Sequence, residues 1–251
     1  MSSTFKLLTV GNPKTAKGAA QGYWTFILHL APGKISGFNT CAGATPGCLN
    51  ACLNTAGRGG MMAGVSRLTL AMVEEGIQNT IQKARIRKTR WFFEDRDTFM
   101  EELHRDISKA VKAAEKKGFV AVFRLNGTSD IRWESVRVAA WGGKNIFEMF
   151  PTVQFYDYTK LANRRGIPSN YHLTFSLADG NDVQAFAALS NGFNVAAVFR
   201  KAGTIPTSYM GVPTFNGDAS DLRFLDPKGV IVALYAKGNA KRDTSGFVRD
   251  V

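Results

Sequence analysis

The sequence predicts an α/β protein built on a largely parallel sheet, open or curled toward a barrel. Three observations predict it. Short apolar, aromatic and β-branched runs recur along the chain, with helix-length segments between some of them. The composition is that of a globular protein large enough to bury a core without staples: 251 residues, 45% hydrophobic and 21% charged, with 25 Gly and 8 Pro. The first strong strand opens into a long loop that carries every cysteine of the chain, and loops at the carboxyl ends of strands hold the chemistry of such folds. Collagen-like, coiled-coil and wholly disordered readings are excluded by the same composition.

Residues 1–22 are rich in Gly, Lys and Ala and read as an extended lead-in to one α/β domain over 23–251. Tyr23–Leu30 (YWTFILHL) has the pattern of a buried strand. The Gly-rich loop over 32–60 follows, and loops of such length inside a compact domain are usually functional. Met62 to Glu75, extending toward Arg90, reads as helix. Asp97 to Lys117 reads as a second, with Leu103, Ile107, Ala110, Val111 and Ala114 on one face and Gly118 just past its end. Phe119–Leu125, Thr152–Tyr156, Tyr171–Ser176, Asn194–Phe199 and Val230–Tyr235 are the further strand candidates. Ile131–Phe150 and Asn181–Asn191 are the intervening helical ones. The loop ends at Asn126–Asp130, Asp157–Lys160, Ser176 and Lys237 are expected to share one rim with the cysteine loop.

No stretch approaches the roughly 20 apolar residues of a membrane helix, and the start lacks the basic-then-apolar order of a signal peptide. The expectation is a soluble, intracellular protein without a membrane partner. Lys and Arg number 32 against 20 acids, a net charge of +12 that favours polyanionic partners. Its distribution is uneven, since Glu74 is the first acid of the chain.

Cys41, Cys48 and Cys52 are the only cysteines and fall within twelve residues of that acid-free region. An odd, clustered set makes a poor disulfide framework and a plausible metal site. Three thiolates in C-x6-C-x3-C spacing can hold three irons of a [4Fe–4S] cluster and leave the fourth open. Gly43, Pro46 and Gly47 supply the turns, and Lys34, Arg58 and Arg67 offer compensating charge. The sequence Gly57-Arg58-Gly59-Gly60 resembles an anion-binding turn. A structural zinc site would need a fourth ligand, for which His29 is the candidate, and plain buried thiols are the third alternative.

Other polar groups carry two readings each. Asn126, Ser129 and Asp130 follow a strand, and Ser129 or Asp130 could serve as N-cap of a helix over Ile131–Val138. Asp157 and Lys160 stand at a strand end as substrate contacts or as an ion-paired loop, and Lys237 as an anion contact or a turn. Lys83, Arg85, Arg87, Lys88 and Arg90 run without an acid into Trp91-Phe92-Phe93. Such a run suits single-stranded nucleic acid, and equally a solvated helix face leading into a core cluster. Triad, Walker A and dinucleotide signatures are absent from the sequence.

A strand, a three-cysteine loop, a helix and further βα units resemble the plan of radical S-adenosylmethionine (SAM) enzymes. That resemblance implies a partial (βα) TIM-like barrel, a [4Fe–4S] cluster and SAM at its open iron, with an external reductant. By the same analogy Asn126, Ser129, Asp130 and Ser176 would bind the cofactor; Arg58, Asp157, Lys160 and Lys237 are, from their own chemistry, the substrate or anion candidates. The chain departs from the usual C-x3-C-x2-C motif in both gaps and has Ala51, not an aromatic, before Cys52. A closer likeness, over nearly the whole chain, is to the phage gene product 88 family. It is carried by GNPKTAKG (11–18), LNTAGRGG (53–60), RLNGTSDIRWE (124–134), QFYDYTK (154–160), NYHLTFS (170–176), DLRFLDPKG (221–229) and ALYAKGNAKRD (233–243). It implies a phage protein in the cytoplasm of the infected host cell and names no reaction. The expected function is a [4Fe–4S] protein with an open iron, acting as a radical-SAM-like enzyme. The alternative is a cluster- or zinc-stabilised nucleic-acid-binding protein without catalysis.

Overall fold

The computed structural model describes residues 6–10, 17–200 and 205–250. Most of the GNPKTAKG string therefore lies outside the described residues. The architecture is α/β, with a ten-stranded, mostly parallel sheet. In chain order the elements are β1 (Leu8–Thr9), β2 (Tyr23–Leu28), α1 (Pro46–Asn50), α2 (Leu70–Glu74), α3 (Thr80–Glu94) and α4 (Arg96–Glu115). There follow β3 (Val120–Arg124), α5 (Ile146–Met149), β4 (Gln154–Thr159), β5 (Tyr171–Ser176), α6 (Asp182–Ser190) and β6 (Val195–Phe199). The chain closes with β7 (Ser208–Tyr209), β8 (Val212–Asn216), β9 (Ile231–Tyr235) and β10 (Val248–Arg249).

Strands β2 to β6 are neighbours in the sheet in the order they occur in the chain, all parallel, and β9 and β8 continue beyond β6. Such an order has no switch point, and right-handed crossovers then carry the helices to one face. The register bears this out. Phe26, Phe123, Phe155 and Tyr171 are cross-strand partners, as are Phe175, Val195 and Ile231. The first set packs under α4 through Phe99, Leu103 and Ile107, the second under α6 through Ala185 and Ala188. The sheet is open: β1 and β7 remain separate edges, and no pairing closes the strands into a barrel among the described residues. β10 adds itself in parallel to the end of β6, at Val198 and Phe199.

The opposite face is polar where β3 and β4 meet. Arg124 donates to Asp221 at 2.9 Å and lies over the rings of Tyr156 and Tyr158. Thr25 and Tyr156 share a hydrogen bond at 3.2 Å. Leu222 and Phe224 cover this layer, so the face is filled by the chain itself.

Two helical expectations need correction. Met62–Arg90 is not one helix: Gly76, at φ 94°, ends α2, and Asn79 caps α3 anew by accepting from the Gln82 amide. Ile131–Phe150 is not a helix either. It forms 3-10 turns at Trp133–Ser135 and Ala139–Trp141 and only the short α5, because Gly142 and Gly143 both take left-handed φ angles and reverse the chain. The N-cap expected at Ser129 or Asp130 therefore does not exist.

Candidate functional site

The loop leaving β2 is pinned at each cysteine. Thr45 caps α1, its hydroxyl accepting from the Cys48 amide at 3.1 Å, and that hydroxyl in turn donates to Asp179. The Asp179 carboxylate also accepts from the Gly47 amide at 3.1 Å. Cys41 donates its amide to Asn39 Oδ1 at 3.0 Å, and its Sγ lies 3.9 Å from the Thr128 carbonyl. Cys52 caps the 3-10 turn Leu53–Thr55, where Sγ accepts from the Asn54 amide at 3.5 Å.

All three are free, half-buried thiols. Burial pushes the Cys41 thiol up, with Cys48 and Asp130 adding to the shift. Burial, helped by the charges of Cys48 and Cys41 and opposed by the Asn54 amide and Lys160, pushes Cys52 up to about 12. Each sulfur is therefore within electrostatic reach of the others, and three thiolates here would repel one another in a partly desolvated loop. No three His, Cys, Asp or Glu side chains converge on a single metal-ion position among the described residues. A cubane does not ask for that, since each thiolate takes a different iron. The zinc alternative does ask for it, and His29 is turned away to Thr9 Oγ1 at 3.1 Å.

The expected rim assembles in part. Lys160 Nζ donates to Ser176 Oγ at 2.8 Å, lies 5.7 Å from the Phe247 ring, and is, with Arg85, a cation that Cys52 feels. Asp130 accepts from the Lys160 amide at 2.8 Å and from Thr159 at 3.2 Å, and faces Arg164 at 3.5 Å. Its own amide donates to the Thr40 carbonyl at 2.8 Å, beside Cys41. Asn126 and Ser129 are buried within this turn: Ser129 donates to Asn126 Oδ1, which also accepts from Ile131 and Trp133. Asp157 sits inside rather than on the rim, accepting from the Leu125 and Asn126 amides at 3.1 Å and from Tyr171 at 3.2 Å. Burial raises its pKa to about 7 against the opposing pull of Arg124. Lys237 is exposed and ion-paired with Asp218 at 2.5 Å. Arg58 is exposed, and its backbone carbonyl, not its guanidinium, joins the frame by accepting from Asn79 at 3.2 Å.

The basic run divides. Arg85 turns inward to Asn54, bonding its carbonyl at 2.7 Å and its side chain at 2.6 Å, and Lys88 turns inward to the Leu7 carbonyl at 3.0 Å. Lys83, Arg87 and Arg90 stay exposed.

Two contributors had no signal in the sequence. Asp179 looks like an ordinary turn residue until the fold sets it against Thr45. The C-terminal segment lies over the loop, so that a Cβ on Gly47 would stand 2.0 Å from Ser245 Oγ and 2.5 Å from Asp179 Oδ1. A side chain there would have to displace both Ser245 and the Asp179 carboxylate.

The family model described as gene product 88 matches residues 6–251. The chain belongs to the gene product 88 family. No curated protein and no solved structure matched it. What the gene product 88 chain does must therefore be argued from its own residues, of which the cysteine loop and its clamps are the most chemically committed. No helix among the described residues is long and apolar enough to cross a membrane.

Proposed function

We infer that Cys41, Cys48 and Cys52 of this gene product 88 protein hold three irons of a [4Fe–4S] cluster, with the fourth iron open to SAM or another ligand. The site is radical-SAM-like, at the carboxyl rim of strands arranged as a partial (βα) barrel, in a protein acting in the cytoplasm of the infected cell. The observation that carries this reading is three half-buried free thiols on one loop that contains no acid, each held in place by a local hydrogen bond. The sequential parallel order of β2 to β6 supports the barrel-like arrangement. Free thiols suit a reducing compartment.

When bound, the cluster would supply one-electron chemistry and an iron able to take a ligand. The chain's own residues do the rest. The Asn54 amide points at Cys52 Sγ and favours its thiolate. Asp179 and Thr45 fix the turn that presents Cys48. Lys160, braced by Ser176, offsets the negative charge that three thiolates bring and stands ready for the carboxylate of an incoming ligand. Asn126, Ser129 and Asp130 hold the turn that sets the Thr128 carbonyl against Cys41. The segment from Asn239, which donates to Thr55 at 3.2 Å, to Phe247 covers the loop and limits water access.

The test is iron, sulfide and zinc analysis of protein purified without exposure to air. About four irons and four sulfides per chain are expected, lost in Cys41→Ala, Cys48→Ala and Cys52→Ala. Zinc, or no metal, in the wild-type protein would overturn the reading.

A further inference from the structure

The exposed side of α3 carries a feature the cluster reading leaves unused. A cleft of about 460 Å³ runs along it, lined by Lys83, Arg87, Arg90 and Trp91 and closed at one end by Glu94 and Asp95. Lys83, Arg87 and Trp91 are four residues apart in turn, so they form one row, about 6 Å of helix rise between members. Arg90 stands beside Arg87, its Nε held by the Ser36 carbonyl at 3.1 Å, which fixes its guanidinium at the cleft wall. α3 has no acid before Glu94. Trp91 is half-buried, with its indole N–H donated to Thr98 at 2.8 Å and Lys6 Nζ 4.9 Å from the ring.

We propose that this cleft binds single-stranded nucleic acid, with phosphates along Lys83, Arg87 and Arg90 and a base against Trp91. Charge complementarity selects a polyanion, and the net charge of +12 steers it from a distance. The aromatic selects among polyanions: a stacked duplex has no free base face to offer Trp91, whereas a single strand does. Glu94 and Asp95 repel phosphate, so the base and not the backbone belongs at that end. The surface involves no cysteine and stands apart from the cluster reading.

The test is fluorescence anisotropy of a labelled oligothymidylate with the full-length protein across a salt series. Three phosphate contacts predict a log–log salt slope of about −2, so binding weakens about 20-fold between 50 and 200 mM salt. Lys83→Ala/Arg87→Ala should lower affinity about 25-fold at 0.1 M salt and flatten the slope to about −0.7, with Arg87→Lys close to wild type. Trp91→Leu should lose about tenfold, and Trp91→Phe, which keeps a ring, should retain most binding. Lys112→Ala/Lys116→Ala, exposed cations at the far end of α4, should change affinity less than twofold. Circular dichroism checks that each variant folds. The proposal is overturned by no binding at 50 mM salt, by equal losses in the α3 and α4 variants, or by duplex DNA or polyglutamate binding as tightly as the single strand.

Discussion

Asn126→Ala separates two roles that one rim residue can have. If Asn126 reaches out to a ligand, truncation leaves the fold intact and removes only ligand affinity. In the structure its amide is spent inward. Oδ1 accepts from Ser129 Oγ and the Ile131 amide at 2.9 Å and from Trp133 Nε1 at 3.1 Å. Nδ2 donates to the Ile131 carbonyl at 2.9 Å and to Tyr171 at 3.3 Å. Alanine strands two donors with no substitute, the Ile131 amide and the indole N–H of the wholly buried Trp133. Each orphaned group costs about 1–3 kcal/mol, so about 4 kcal/mol is expected in total. At about 2.1 cal/mol/K per residue, 251 residues give an unfolding entropy near 0.5 kcal/mol/K, and the melting temperature should fall by about 8 °C. Thermal unfolding followed by circular dichroism measures this directly. A fall of less than about 2 °C, below 1 kcal/mol, would refute the assignment and return Asn126 to the ligand-binding set.

Three further outcomes are expected. Asp157 has a raised pKa, so the folded chain keeps a proton that the unfolded chain gives up, and stability falls with pH between about 4 and 7. Burial lowers His29 to about 3, so there the unfolded chain holds the extra proton and stability rises up to about pH 6.5. Each slope reaches about 1.4 kcal/mol per pH unit, so in urea titrations the profile of Asp157→Asn should rise relative to wild type and that of His29→Gln should fall relative to it; profiles parallel to wild type would contradict both shifts. Burial also lowers Lys88 to about 8, so its own contribution rises by about 3 kcal/mol from pH 8 to 10.5, and the stability of wild type measured against Lys88→Met should grow by that amount over this range. Asp179→Ala removes two charge-assisted hydrogen bonds from the cysteine loop, worth about 2–3 kcal/mol, and hydrogen exchange at Gly47 and Cys48 should quicken by at least about 30-fold.

How much of this was legible in the sequence depended on how local the cause is. β2, β3, β5, β6 and β9 are apolar runs whose burial follows from their own side chains. α4 shows its buried face through Leu103, Ile107, Ala110 and Ala114. β1, β7 and β10 are two residues each, too short for any periodicity, and are strands only because a neighbour pairs with them. The apolar content of 131–150 looks helical, yet Trp133, Val136 and Val138 are buried by 3-10 turns and bends. At the site, the cysteines announced themselves by clustering. The Asp179 clamp did not, because it joins residues 134 positions apart. The basic run was visible as charge, but the helix alone decided that Arg85 and Lys88 face inward while Lys83 and Arg87 do not.

The central claim is a three-thiolate cluster with one open iron. Electron paramagnetic resonance of anaerobically purified, reduced protein, recorded with and without SAM, tests it most directly. A [4Fe–4S] signal that shifts when SAM is added is the predicted result. A cluster signal indifferent to SAM would contradict SAM binding at the open iron, and the absence of any cluster signal from protein never exposed to air would contradict the claim as a whole.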